Sequence, residues 1–333
     1  MNILILHPGA LGDIILSLPA ILLLRRRFPG AEITLAGDVD KTVVADHAYA
    51  DRTISLSSLP LHRLYSSDAL PEADLAFWNS FGRIIFWTGQ GSREIGRRLG
   101  ELKAEVICAR WKPETGDTRH VAQIFADSLH PWLPLRSDLP EARVSLGSVN
   151  RGLAGEWFAL KGWKGETLTA IHPGAGGLGK RWALENFRGL ARQICGANSS
   201  VLVLEGPAEC GVAMELSAGL PPGRVYAANS VPLTLLAGLL ACCRAFAGND
   251  SGIAHLAAGL GIPTVVIFGP TRPQQWAPRG SHVSVLWHNQ GCSACEIGAG
   301  ESHTCLRNIS QADVWKELKK YLLSPANPST FHH

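Results

Sequence analysis

Gly248-Asn249-Asp250-Ser251-Gly252-Ile253-Ala254-His255-Leu256-Ala257-Ala258 is the stretch that decides the fold of this chain. Two apolar runs bracket it, Leu239 to Ala247 before and Pro263 to Phe268 after. Asp250 and Ser251 therefore fall where a short strand ends and a helix begins. The first N–H groups of a helix have no intrahelical partner and the helix dipole is positive there, so such a junction seats a phosphate. Gly252 permits close backbone approach, and His255, four residues after Ser251, lies on the same helix face one turn in. Asp and Ser are also favoured N-caps, so the stretch reads about equally well as an ordinary helix start.

Working outward, strand, glycine loop and helix recur. Met1 to Leu6 reads as a strand, His7-Pro8-Gly9-Ala10-Leu11-Gly12-Asp13 as a loop, and Ile14 to Phe28 as a helix ending in Arg25-Arg26-Arg27, which complements the helix dipole. Pro29-Gly30 stops it, and Glu32 to Ala36 is the next strand. The second half restarts the pattern with a strand over Thr167 to His172, a loop over Pro173 to Lys180 and a helix over Leu184 to Cys195. Strands at Val201 to Leu204 and Val225 to Ala227 follow, with helices at Met214 to Leu220, Leu233 to Cys242 and Ala312 to Leu323. The intervening region is less regular: Ala73 to Phe77 and Ile84 to Trp87 read as short strands and His120 to Leu129 as a helix. The proline-bearing stretch from Leu133 to Gly147 reads as a linker, giving an α/β chain of two units, 1–148 and 149–333. Duplicated α/β halves hold ligands at the carboxyl ends of their strands.

The 333 residues are 46% hydrophobic and 18% charged, which suits a well-cored chain of about two domains; the formal charge of +3 argues neither for nor against nucleic acid, which is not expected as a partner, and the mild basic excess suits an anionic substrate. Met1 to Pro8 lacks the charged start and small-residue cleavage site of a signal peptide. Eight cysteines without an export signal point to the reducing cytoplasm. Ser324 to His333 reads as a disordered tail.

Several motifs admit chemistry. Asp13 sits at a helix start, either as a cap or as a carboxylate able to take a proton from an attacking hydroxyl. Gly174-Ala175-Gly176-Gly177-Leu178-Gly179 matches the dinucleotide fingerprint, and Glu205 ends the next strand, but Lys180-Arg181-Trp182 intervenes before the helix. A longer loop carrying Lys180 suits a diphosphate better than the tight turn of a dehydrogenase. Glu205 and Glu209 flank a Gly206-Pro207 turn, where an acid can accept ribose hydroxyls or simply face solvent. Cys292, Cys295, His303 and Cys305 have an irregular zinc-like spacing that reads better as free thiols. Neither a Gly-x-Ser-x-Gly elbow nor an H-E-x-x-H helix is present.

Taken together, these residues resemble glycosyltransferase family 9, the ADP-heptose:lipopolysaccharide heptosyltransferases. The resemblance rests on Gly9-x-x-Gly12-Asp13 with Pro19, His172-Pro173-Gly174 through Lys180-x-Trp182 and Phe187, Gly206-Pro207-Ala208-Glu209, and Asn249-Asp250-Ser251-Gly252-x-x-His255-x-Ala257. Gly261-x-Pro263 leading into Phe268-Gly269-Pro270-Thr271 also fits. It implies a GT-B fold of two Rossmann-like domains, an acceptor-binding one at 1–148 and a nucleotide-sugar-binding one at 149–333, with the last helix packing back on the first in many relatives. It implies inverting transfer of heptose from ADP-heptose to an inner-core lipopolysaccharide hydroxyl, with no cofactor and no obligatory metal. Carried over residue by residue, Asp13 becomes the general base and Lys180 the cation at the donor phosphates. Gly12, Gly174, Ala175, Gly176, Asp250, Ser251, Gly252 and His255 become donor contacts, with Glu205 or Glu209 near the ribose. Some relatives carry hydroxyl residues after the position of His172, where this chain has Gly174-Ala175-Gly176-Gly177, so backbone N–H groups would replace those contacts. His62, Arg63, Arg119 and His120 are the acceptor candidates, each also readable as an ordinary surface residue. A lipid-linked acceptor implies a peripheral contact of a cytoplasmic protein with the inner membrane. An epimerase or a nucleotide-sugar-binding module on the same scaffold is the alternative.

Overall fold

The computed structural model describes residues 1–66, 68–88, 93–135, 138–145, 148–206, 209–288 and 304–323. Cys292, Cys295 and His303, the 324–333 tail, and Pro207 and Ala208 of the Gly206 turn lie outside the described residues. The chain divides into two compact units, Met1–Ser145 with Gln274–Trp276, and Leu146–Pro273 with Ala277–His333.

The first unit runs β1 (Asn2–Leu6), α1 (Leu11–Arg27), β2 (Glu32–Gly37), α2 (Val39–Thr42), β3 (Arg52–Ser55), α3 (Leu61–Leu64), α4 (Glu72–Trp78), β4 (Arg83–Phe86), α5 (Arg93–Gly100), β5 (Glu105–Cys108) and α6 (Val121–Ser128). Its strands pair in the order β3-β2-β1-β4-β5, each pair parallel. Ile3, Leu4, Ile5 and Leu6 are fully buried, as expected of a central strand covered by helices on both faces. Leu4, Leu6, Trp78, Ile84 and Phe86 form part of one core cluster, while α1 packs against α6.

The second unit runs α7 (Ser148–Leu160), β6 (Leu168–His172), α8 (Leu184–Gly196), β7 (Ser200–Glu205), α9 (Val212–Ser217), β8 (Val225–Asn229), α10 (Leu233–Ala241), β9 (Ala245–Asn249), α11 (Gly252–Gly259), β10 (Thr264–Phe268), α12 (Pro273–Trp276), β11 (Val283–Trp287), α13 (Thr304–Arg307) and α14 (Gln311–Leu322). Its parallel sheet has the order β11-β10-β9-β6-β7-β8. Ile171, Phe187, Leu190, Val203, Ile267, Val314 and Leu318 belong to its core.

In each sheet the winding reverses at one place. After β1 the chain adds strands on one side as β2 and β3, then returns to the other side as β4. After β6 it adds β7 and β8, then returns as β9. Loops leaving neighbouring strands at such a reversal diverge and open a crevice at the strands' carboxyl ends. The loop after β1 leads into the helix turn that carries Asp13, and the loops after β6 and β9 carry Lys180 and Asp250.

One expectation needs correction. Ala73 to Phe77 is part of helix α4, not a strand. Ala73, Leu75 and Phe77 alternate as a strand would, but Leu75 and Trp78 lie three apart and Pro71 precedes the first turn, which is the helical reading. The terminal helix α14 packs against α8, β9 and β10, with Val314 and Leu318 fully buried in the core of the second unit.

Candidate functional site

The site in the second unit starts at the carboxyl end of β9. Asn249 is fully buried, so its amide must be paired. Its Oδ1 accepts the Trp182 N–H at 3.0 Å and its Nδ2 donates to the Pro173 carbonyl at 2.7 Å. One strand-end side chain thus pins both ends of the 173–182 loop. Trp182 is anchored a second time, its Nε1 donating to the Ile309 carbonyl at 2.9 Å.

The pinned loop presents two cations to two buried carboxylates. Lys180 Nζ donates to Asp250 Oδ2 at 2.8 Å, and Arg181 donates to Glu209 Oε1 at 2.6 Å. The Asp250 side chain is 7% exposed against 20% for Lys180, so the lysine faces outward over its partner. Glu209 Oε2 also accepts the Gly206 N–H at 3.2 Å. Glu205 is turned elsewhere: its Oε1 accepts the N–H of Ala213 in the first turn of α9.

Ser251 caps α11, its Oγ accepting the Ala254 N–H at 3.4 Å. The same oxygen lies 3.2 Å from His172 Nδ1. Burial, with a smaller contribution from the positive charge of Arg181, lowers the His172 pKa to about 4, so the ring is neutral at pH 7 and suited to accept the seryl proton. Gly174 has no room for a side chain: a Cβ there would stand 2.6 Å from the Glu209 carboxyl carbon and 2.8 Å from His172 Nε2. His255 is buried one turn into α11. Gly174, Lys180, Glu209, Asp250, Ser251 and, through the helix, His255 are therefore brought together around one helix N-terminus. Such an arrangement can hold an anion with backbone N–H groups and a lysine.

In the first unit Asp13 lies in the first turn of α1, where its Oδ2 accepts the Ala10 N–H at 2.8 Å. The capping geometry is thus present, with Gly12 beside it in the same turn. A cavity of about 360 Å³ opens beyond β5, lined by residues that include Cys108, Arg110, Lys112, Asp117, Arg119 and Asp127. Arg119 bridges Asp117 at 2.7 Å and Asp127 at 2.9 Å, which raises the arginine pKa further and lowers that of Asp117. His120 caps α6, its Nδ1 accepting the Ala122 N–H at 3.2 Å. Arg63 pairs with Asp74 at 2.9 Å, and His62 is exposed beside it on α3. Of the four acceptor candidates, only Arg119 lines this cavity.

The structural role of Asn249, the pairing of Arg181 and the places of His7 and His172 are not apparent from the motifs alone. A polar residue closing an otherwise apolar strand was the available signal for Asn249 and His172. The Arg181–Glu209 pair carries no sequence signal, because its partners are joined only by the turn of the chain. Among the described residues, no group of His, Cys, Asp and Glu is arranged to hold a metal ion.

The chain matches the glycosyltransferase family 9 (heptosyltransferase) profile over residues 133–301. It is 28% identical over 163 residues to lipooligosaccharide heptosyltransferase 2 of Campylobacter jejuni, covering 47% of this chain and 52% of that protein. The chain thus spans about half the length of the curated relatives it matches first. With lipooligosaccharide heptosyltransferase 2 of Haemophilus influenzae it is 26% identical over 321 residues, covering 86% of this chain and 88% of that one. Its fold superposes on Escherichia coli ADP-heptose lipopolysaccharide heptosyltransferase II with a TM-score of 0.77 at 18% identity, over 97% of this chain and 99% of that one. The architecture is accordingly GT-B, two Rossmann-like parallel-sheet units.

Proposed function

From a chain that belongs to glycosyltransferase family 9, we propose an enzyme that transfers heptose from ADP-heptose to an inner-core lipopolysaccharide acceptor with inversion at the anomeric carbon. The observation that carries this reading is the α11 N-terminus with Lys180, Ser251 and Asp250 gathered on it.

The nucleotide diphosphate leaves as negative charge builds on its oxygens. Backbone N–H groups at Ser251 and Gly252 and the Lys180 ammonium meet that charge without reorganising, which is the kind of stabilisation that lowers such a barrier most. The N–H groups of Gly174, Ala175 and Gly176 are offered to the donor in this reading, Gly174 being the position where a side chain would strike Glu209 and His172, and His255 lies one turn into α11. Glu209, held against Gly174, is the acid nearer the glycine loop and takes the ribose hydroxyls in this reading. Glu205 serves chiefly to cap α9. The base lies beyond β8, near Asn229 to Leu233.

On the other side of the reaction, Asp13 removes the proton of the acceptor hydroxyl as its oxygen attacks the anomeric carbon. The C–O bond to the diphosphate breaks on the opposite face, and the configuration inverts. Arg119, with its cavity, is the acceptor-side candidate for an anionic sugar acid or phosphate. The acceptor is lipid-linked, so catalysis takes place at the cytoplasmic face of the inner membrane; among the described residues no helix is long and apolar enough to cross a bilayer.

A thermal-shift panel of nucleotide sugars tests the donor assignment. ADP-heptose should raise the melting temperature more than UDP- or GDP-sugars, and a larger shift with a uridine or guanosine sugar would overturn it.

A further inference from the structure

The buried imidazole at the end of β1 has no part in the chemistry above, yet it is built into the support of Asp13. His7 is fully buried and ringed by aromatics, its centroid 5.5 Å from Trp87, 5.9 Å from Trp111 and 5.2 Å from Phe125. Its Nδ1 accepts the Gly9 N–H at 3.0 Å. The next amide, that of Ala10, donates to the Asp13 carboxylate at 2.8 Å. Consecutive peptide N–H groups thus tie one short loop to the imidazole at one end and to the acid at the other.

Packing reinforces the link. A Cβ at Gly9 would lie 2.5 Å from His7 Cε1 and 2.6 Å from Asp13 Cβ. Only one backbone strand therefore separates the ring from the acid, and a displacement of the ring passes through Gly9 to Asp13. Phe125 and Trp111 stack in parallel on the far side, with centroids 5.5 Å apart, so the ring has little freedom to move away.

The acceptor role requires Nδ1 without a proton. Burial lowers the His7 pKa to about 4, against smaller opposing pulls from the backbone of Asp13 and of His7 itself, so the ring stays neutral near pH 7. A neutral ring also leaves the basicity of Asp13 undiminished, as a cation one loop away would not.

We propose that His7 is a positioning residue, which fixes the Gly9–Ala10 loop from behind and so sets the Asp13 carboxylate in its reactive orientation. The proposal rests on Asp13 as general base. Because a small misplacement of a catalytic group costs up to about a hundredfold, the effect belongs in turnover and not in donor binding.

The test is a double-mutant cycle of His7→Phe, His7→Asn and Asp13→Asn, with kcat and donor KM measured for each and melting temperature followed alongside. His7→Phe keeps the ring volume but removes the acceptor for the Gly9 N–H; kcat should fall about 10- to 100-fold with donor KM within about twofold. His7→Asn restores an acceptor where Nδ1 stands and should recover most of that loss. In the Asp13→Asn background His7→Phe should cost no further turnover. Equal losses for Phe and Asn, a rise in donor KM matching the fall in kcat, or full additivity with Asp13→Asn would overturn the positioning role. Near-normal turnover in Asp13→Asn alone would instead sink the general-base reading, whatever the His7 variants do.

Discussion

Two strand–loop–helix junctions in this molecule begin with the same residues, His-Pro-Gly, and end in opposite chemistry. After β1 the loop is short, and α1 begins at Leu11 with Asp13 in its first turn. After β6 the loop runs from Pro173 to Ala183 before α8, with a 3₁₀ turn at Leu178–Lys180 that delivers two cations. Each histidine is buried and neutral, yet His7 braces its own loop through the Gly9 N–H, whereas His172 reaches across to Ser251 on another strand's loop. The comparison shows that the shared tripeptide supplies a rigid exit from a buried strand. Loop length then decides whether the exit presents an acid, as at Asp13, or cations, as at Lys180 and Arg181.

The sharpest way to break this contrast is to remove the acid. Asp13→Asn keeps a side-chain oxygen as acceptor for the Ala10 N–H but removes the proposed base, and turnover should drop about 10²- to 10⁴-fold with donor affinity retained. A steady-state assay with parallel donor titration checks both halves. If donor affinity fell instead while turnover held, the acid side and the phosphate side would have been assigned the wrong way round.

The two histidines should also reveal themselves in acid. Each has its pKa lowered from 6.5 to about 4 in the folded chain. Between those values the unfolded chain binds protons that the folded chain refuses, so the stability present above pH 6.5 is lost as pH falls toward 4. The slope is at most about 1.4 kcal/mol per pH unit for each ring. Urea midpoints between pH 7 and 4.5 should fall steeply for the native chain and less steeply for His172→Leu. Parallel slopes would show that His172 is not held neutral by burial.

A smaller effect is expected from the cation on the other loop. Lys180→Ala should weaken donor binding and slow the reaction by about 10- to 100-fold in kcat/KM, the worth of a charge-assisted hydrogen bond of about 1.5–3 kcal/mol. The variant also leaves Asp250 unpaired, so Lys180→Ala with Asp250→Asn separates the phosphate role from the ion pair: donor binding should stay weak in the double variant. Recovery of donor binding there would assign the whole effect to the ion pair. Smallest is Ser251→Ala, which removes the α11 cap and should lower stability by about 1 kcal/mol in denaturant melts; an unchanged midpoint would remove Ser251 from the cap.

Much of this was legible in the sequence because it was local. Apolar runs ending at Leu6, His172 and Asn249 marked the central strands, and the glycines and Asp-Ser after them marked the turns into helices. The edges were harder. β3 and β5 are short edge strands with little unbroken apolar run, and α4 imitated a strand through Ala73, Leu75 and Phe77. Helix α7 went unread because Gly152 and Gly155 interrupt its pattern. At the site, residue types at helix starts were legible, but their partners were not. That Asp250 pairs with Lys180 across 70 residues, that Glu205 faces α9 while Glu209 faces Gly174, and that Asn249 pins a loop 67 residues away depend on which strands lie side by side.

The most direct test of the account is product analysis by NMR after incubation with ADP-heptose and a core acceptor that lacks the heptose. The expected products are a new heptosyl glycoside, whose anomeric configuration is opposite to that of the donor, and ADP. An isomerised sugar nucleotide with no glycoside, or a glycoside that keeps the donor's configuration, would contradict heptosyl transfer with inversion.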